Sequence, residues 1–115
     1  MLIKKNEVNK VFIIFLLLHL IVWTLVPTFS NINLPLDVIE AIARGNGWPL
    51  GWDKHPPLST WFPRLFFEIF GNQDWVFYFL SQIFVILSFV VIFQFSKNFF
   101  QNNIYKLLSV LLLEA

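Results

Sequence analysis

The chain has no cysteine. Disulfides and thiolate metal sites are therefore excluded, and the redox compartment stays open. Charge is scarce too: Asp, Glu, Lys and Arg make up 13% of the 115 residues, against about 25% in a typical soluble domain. The net charge of +1 comes without any basic cluster, so nothing points to nucleic acid as a partner. Internal repeats and low-complexity stretches are absent as well. What remains is apolar. Hydrophobic residues reach 57% and aromatics 19%, with 15 Phe and 5 Trp, and most lie in long runs. That is the composition of a membrane chain rather than of one small soluble domain.

Two of the runs are candidates to cross a bilayer. The first covers residues 11–26 and stops at Pro27, near the short end of the roughly 17–25 residues that a crossing needs. Lys4, Lys5 and Lys10 precede it, as they would in a signal peptide. A signal peptide also needs small residues at its cleavage site, and Val26-Pro27-Thr28-Phe29-Ser30 matches that pattern poorly. The run reads as an uncleaved transmembrane helix. The second crossing covers residues 75–96, with Trp75 and Tyr78 suited to an interfacial aromatic belt. A third apolar run, 107–115, stops at Leu113-Glu114-Ala115 after about two turns and reads as the start of a further span in a truncated chain.

The lysines orient these spans. Lys4, Lys5 and Lys10 flank the first, and Lys97 and Lys106 follow the second. By the positive-inside rule the N-terminus (1–10) and the segment 97–106 are cytoplasmic. The segment 27–74 is then external, that is periplasmic, extracellular or luminal.

This external loop is organised. Residues 35–45 read as a short helix with Pro35 in its first turn and Gly45 as its stop. Leu36, Ile39 and Ala43 give it an apolar stripe. At 100° per residue Asp37 and Glu40 lie about 60° apart, with Arg44 close to both. Glu40 and Arg44 form an i,i+4 pair in the favourable order. A second amphipathic segment runs from about Leu58 to Phe70 and ends at Gly71-Asn72. Leu58, Phe62, Leu65, Phe66 and Ile69 form its apolar face, and Arg64 and Glu68 form another i,i+4 pair. Pro63 either kinks this helix or marks its true start. Such a helix suits the membrane interface.

Between the two helices stands Gly51-Trp52-Asp53-Lys54-His55-Pro56-Pro57-Leu58. An acid, a cation and an imidazole are adjacent, and two prolines disfavour helical geometry just before them. Consecutive side chains must fan out from an extended or turned backbone, which suits a pocket for a charged ligand at a membrane surface.

The order of one span, Asp37-x-x-Glu40, Lys54-His55-Pro56-Pro57-Leu58, an amphipathic helix and a second span resembles the N-terminal part of the polyprenyl-phosphate-sugar-dependent membrane glycosyltransferases. That superfamily includes the dolichyl-phosphate-mannose-protein mannosyltransferases and the lipid A aminoarabinose transferases. The Leu36-Asp37-x-x-Glu40-Ala41 and Lys54-to-Leu58 strings look most like its bacterial branch. The resemblance implies an all-α integral membrane fold, the N-terminal part of a GT-C fold. It would have two transmembrane helices, the start of a third, and two short interfacial helices in the external loop. It also implies a bacterial inner (plasma) membrane location with loop 27–74 periplasmic or extracellular. The partners implied are a polyprenyl-phosphate-linked sugar donor and a glycan, lipid or protein acceptor. Asp37 matches the acidic residue proposed as catalytic base in such enzymes, and Glu40 accompanies it. Lys54 matches the residue that binds the donor phosphate, with His55 beside it. Asp53 holds a position linked to a divalent metal cation in some members. Relatives continue through many more spans, so the resemblance implies a fragment that is inactive alone.

Plainer readings stand beside these. Asp37 and Glu40 suit the solvated side of an interfacial helix. Lys54 suits snorkelling among headgroups, and His55 suits donation to a backbone carbonyl. His19 lies inside the first span, where an ionisable residue is by default a functional hypothesis; it reads as a neutral histidine packed against a helix beyond this chain. Glu114 carries no specific chemistry. Two function classes remain: a glycosyltransferase, or a small non-catalytic integral membrane protein that acts through helix–helix interaction.

Overall fold

A computed structural model describes residues 4–51 and 56–114, and the described residues form an all-α fold. The helices are α1 Lys5–Ser30, α2 Leu36–Arg44, α3 Pro57–Phe70, α4 Asp74–Phe99 and α5 Asn103–Glu114. α1 and α4 have 26 residues each. At 1.5 Å per residue each is about 39 Å long, enough for the roughly 30 Å hydrocarbon core of a bilayer. Only 17% and 28% of their most apolar stretches are buried. Ile13, Ile14, Leu17, Leu18 and Ile21 stay exposed along α1, as do Phe84, Leu87, Val91 and Phe95 along α4. The core helix of a water-soluble domain would hide such a surface; an exposed apolar surface of this length suits the bilayer interior. The chain is an all-α integral membrane protein, with α2 and α3 as the two short helices between the long ones.

The chain divides into two compact units, one of Met1–Val22 with Gln82–Ala115 and one of Trp23–Ser81. In the first, Val8 and Phe12 of α1, Phe89 and Phe93 of α4 and Val110 of α5 form a buried core, with Phe15, Leu16, Val85 and Leu107 packed on it. The Phe12 and Phe93 rings stack with centroids 4.0 Å apart. His19 is buried in this unit, and it finds its partners within the chain rather than on a helix beyond it. Its Nε2 lies 2.8 Å from Gln82 Oε1 of α4, and its Nδ1 lies 2.6 Å from Glu114 Oε2 of α5. Phe89 meets the imidazole ring edge-on at 5.1 Å. Burial in an apolar setting makes an unmet polar atom costly, so polar side chains from three helices gather at one point. Glu114 therefore has a definite place that its position in the sequence does not betray.

In the second unit α1 does not stop at Pro27 but runs on to Ser30. Proline withholds the amide that would otherwise donate to Trp23 O, a single lost bond that apolar membrane helices tolerate. Helical bonding continues beyond it, since the amide of Asn31 donates to Pro27 O at 3.0 Å, and the Thr28 hydroxyl adds a bond to Thr24 O at 2.5 Å. Leu34, Val76, Phe77 and Leu80 are buried, and Asn31 Nδ2 donates to the Tyr78 hydroxyl at 3.0 Å. α3 begins at Pro57, so Pro63 lies inside the helix and is not its start. The helix ends at Gly71, whose φ of +73° belongs to the left-handed region that favours glycine, and whose amide donates to Phe67 O at 2.8 Å.

Candidate functional site

The site is built where α2 lies against α3. Pro35 precedes α2, and its carbonyl accepts from the amides of Val38 at 3.0 Å and Ile39 at 3.3 Å. Proline suits this place because the first helical amides have no partner within the helix in any case. At the other end the Gly45 amide donates to Ala41 O at 2.9 Å. The face turned to α3 is not the apolar stripe of Leu36, Ile39 and Ala43, which stays exposed. It is the set of partly buried Val38, Ala41 and Ile42, together with buried Gly45.

Gly45 explains how close the helices come. A Cβ at this position would stand 2.6 Å from Arg64 Cβ and 2.7 Å from Thr60 O, both on α3. Its φ of −69° is ordinary, so the requirement is space and not backbone conformation. Gly45→Ala is expected to push α2 off α3 and lower stability by about 1–3 kcal/mol, the usual cost of overpacking. Thermal unfolding in detergent would register this as a lower Tm, and an unchanged Tm would mean that the helices can part without loss.

α3 presents its first turns to the same place. Pro56 and Pro57 lead into it, and Pro57 takes the first helical position. The Ser59 hydroxyl donates to Pro56 O at 2.7 Å and the Thr60 hydroxyl to Pro57 O at 2.9 Å. Thr60 is almost fully buried. The loop before the motif is fastened to α3 as well: the Trp61 indole N–H donates to Pro49 O at 2.9 Å. Trp48 meets Trp61 edge-on at 6.4 Å. Trp48 has a φ of +52° and follows Gly47 at +81°. Left-handed backbone is unfavourable for a bulky residue, so the tertiary contacts must hold this turn in place.

Asp37, Val38, Glu40, Ala41 and Arg44 of α2 and Ser59, Thr60 and Pro63 of α3 line a cavity of about 390 Å³. Both candidate carboxylates reach it, but their situations differ. Glu40 is paired with the Arg44 guanidinium one turn on. Asp37 lies in the first turn of α2, where the positive end of the helix dipole accommodates negative charge. Among the described residues, no hydrogen bond or ion pair engages its carboxylate. Asp37 can thus accept a proton from a bound group, whereas Glu40 is engaged in orienting Arg44. Arg64 and Glu68 form their own pair on α3, with Arg64 Nε donating to Glu68 Oε1 at 2.8 Å.

The remaining motif residues, Asp53, Lys54 and His55, lie outside the described residues. A divalent cation finds no ligand set among the described ones, where no three His, Asp or Glu side chains gather. Sequence reasoning missed Ser59, Thr60 and Pro63. Their signal was position, since Ser59 and Thr60 directly follow Pro56-Pro57-Leu58 and so fall in the first turn of the helix that the motif opens.

Residues 54–115, just over half of the chain, match the family model described as dolichyl-phosphate-mannose-protein mannosyltransferase. The match begins at the motif lysine and takes in α3, α4 and α5. No curated protein and no solved structure matches the chain.

Proposed function

The chain belongs to the dolichyl-phosphate-mannose-protein mannosyltransferase family, and on that footing we propose that it serves transfer of a sugar from a polyprenyl-phosphate donor to an external glycan, lipid or protein acceptor. The observation that carries this reading is the α2–α3 cavity, which unites a carboxylate unengaged among the described residues, Asp37, with the helix that the Asp53-Lys54-His55 motif leads into. In this reading the acceptor hydroxyl oxygen attacks the anomeric carbon and the carbon–oxygen bond to phosphate breaks. Asp37 takes the acceptor proton. The polyprenyl phosphate leaves with its charge held by Lys54, a compact cation suited to phosphate, with His55 beside it. Direct displacement of this kind inverts the anomeric centre. Glu40 and Arg44 shape the wall of the cavity near the acceptor.

Photoreactive polyprenyl-phosphate-mannose tests this in membranes that contain the protein. It should label residues within 27–74, and unlabelled polyprenyl phosphate should compete for the site. Labelling spread along α1 and α4 that resists competition would mean ordinary lipid contact and would overturn the donor assignment.

The orientation of the chain is part of the proposal, because the site must lie outside with both flanking lysine groups inside. Cysteine introduced by Gln73→Cys should react with an impermeant maleimide in intact cells. Reaction only after permeabilisation would reverse the topology and place the cavity on the wrong side for an external acceptor.

A further inference from the structure

A second cavity, in the unit Met1–Val22 with Gln82–Ala115, has chemistry that sugar transfer at the α2–α3 site does not use. It measures about 270 Å³, and Lys5 of α1, Lys97 of α4 and Lys106 of α5 all line it. Three helices thus bring one ammonium each to a single space. Asn9 and Asn103 add carboxamides, and Phe93 forms an apolar wall. Among the described residues, no carboxylate lines the cavity. Lys4 and Lys10, the other lysines of this unit, are not among the lining residues either.

Like charges repel, so three cations around one space without a carboxylate favour an anion as the fourth partner. Two of the lysines are held in place for it. Lys97 Nζ sits 4.8 Å from the centre of the Phe93 ring, and Lys106 Nζ donates to Asn103 Oδ1 at 3.1 Å. Asn103 is also the first residue of α5, so the positive end of that 12-residue helix adds to the same field. The position points to the source of the anion. Lys5 opens α1 and Lys97 closes α4, and both helices are long enough to cross the bilayer; the cavity therefore lies at headgroup level. Its volume falls just under the roughly 300–1,000 Å³ of pockets for drug-sized ligands. It can admit a headgroup and leave the acyl chains outside, along the exposed apolar faces of the helices.

We propose that this cavity binds a phosphate anion, presented by the headgroup of an anionic phospholipid. Basic pockets between membrane helices bind lipid phosphates through the combined charge of their lysines and arginines. Loss of each lysine near the surface is worth about fivefold in affinity, so neutralising three should weaken binding on the order of 100-fold.

The test uses the whole protein in nanodiscs, with retained lipid counted by native mass spectrometry. From phosphatidylglycerol nanodiscs the protein should retain one phosphatidylglycerol, and the variant Lys5→Gln/Lys97→Gln/Lys106→Gln should lose it. The variant Lys4→Gln/Lys10→Gln removes two positive charges outside the cavity and should keep the lipid. Circular dichroism and the single variant Lys106→Gln guard against a triple variant that fails to fold, because the single change should already lower retention. Inorganic phosphate at millimolar concentration should not displace the lipid; displacement would assign the site to a free anion and overturn the headgroup as source. Equal retention by the triple variant, or equal loss in Lys4→Gln/Lys10→Gln, would overturn the site itself.

Discussion

Asp37→Asn is expected to lower sugar transfer by the active transferase about 100- to 10,000-fold, the range that a positioned general base commonly contributes. Asparagine keeps the shape of the side chain and its place on the cavity wall but cannot take the acceptor proton. The loss should therefore fall on turnover, with donor affinity unchanged. Arg44→Ala is the matched control from the same wall. Arg44 pairs with Glu40 one turn away, and partly exposed pairs of this spacing are worth only about 0.3–0.5 kcal/mol. Steady-state rates and donor titrations on the two variants separate the roles. Normal turnover after Asp37→Asn would remove the base from the mechanism, and a larger loss from Arg44→Ala would transfer the role to the Glu40 pair.

Lys54→Ala should act on the other substrate. A hydrogen bond to a charged group contributes about 1.5–3 kcal/mol, so donor binding should weaken by roughly 10- to 100-fold. At saturating donor the turnover should recover most of its value, because the lysine meets the phosphate in the ground state as well as in the transition state. Titration with polyprenyl-phosphate-mannose and with polyprenyl phosphate alone should show the same loss, since the phosphate is common to both. An unchanged donor affinity would remove Lys54 from the phosphate. A loss confined to the sugar-bearing donor would move the lysine to the sugar.

Some of this architecture can be read directly from the chain, and the reasons are local. α2 is visible because Pro35 and Gly45 bracket a run of helical spacing, and the observed helix Leu36–Arg44 fills that bracket. α3 is visible for the same reason, with Gly71 at its end. Asp37 and Glu40 share a cavity because residues three apart share a face. The opposite wall is harder to see. Ser59 and Thr60 at the start of a helix look like capping residues, and only the fit of Gly45 against Thr60 and Arg64 puts α2 beside them. Leu36, Ile39 and Ala43 form a visible stripe but do not reveal which face meets α3, because in a membrane protein an apolar stripe can face lipid as well as protein. Pro27 suggests a stop, but one missing amide costs a single bond, and α1 runs on to Ser30. Glu114 and His19 look like isolated residues, because a contact between the first long helix and α5 leaves no periodic trace.

That last contact bears on how the protein is made. Chain order delivers α1 and α4 to the membrane before α5. In the proposed topology Asn103 lies near the surface, and Glu114, at the far end of α5, reaches about 16 Å deeper. A carboxylate at that depth opposes insertion by about 2.5–3.5 kcal/mol on translocon scales. His19, itself bonded to Gln82, is already in place when Glu114 arrives, and it supplies the polar contact that bilayer lipid cannot. Biosynthesis thus acquires an order of events, in which α1 acts as the receptor for α5. A chain deprived of His19 should still insert α1 and α4, and should hold α5 less firmly against them.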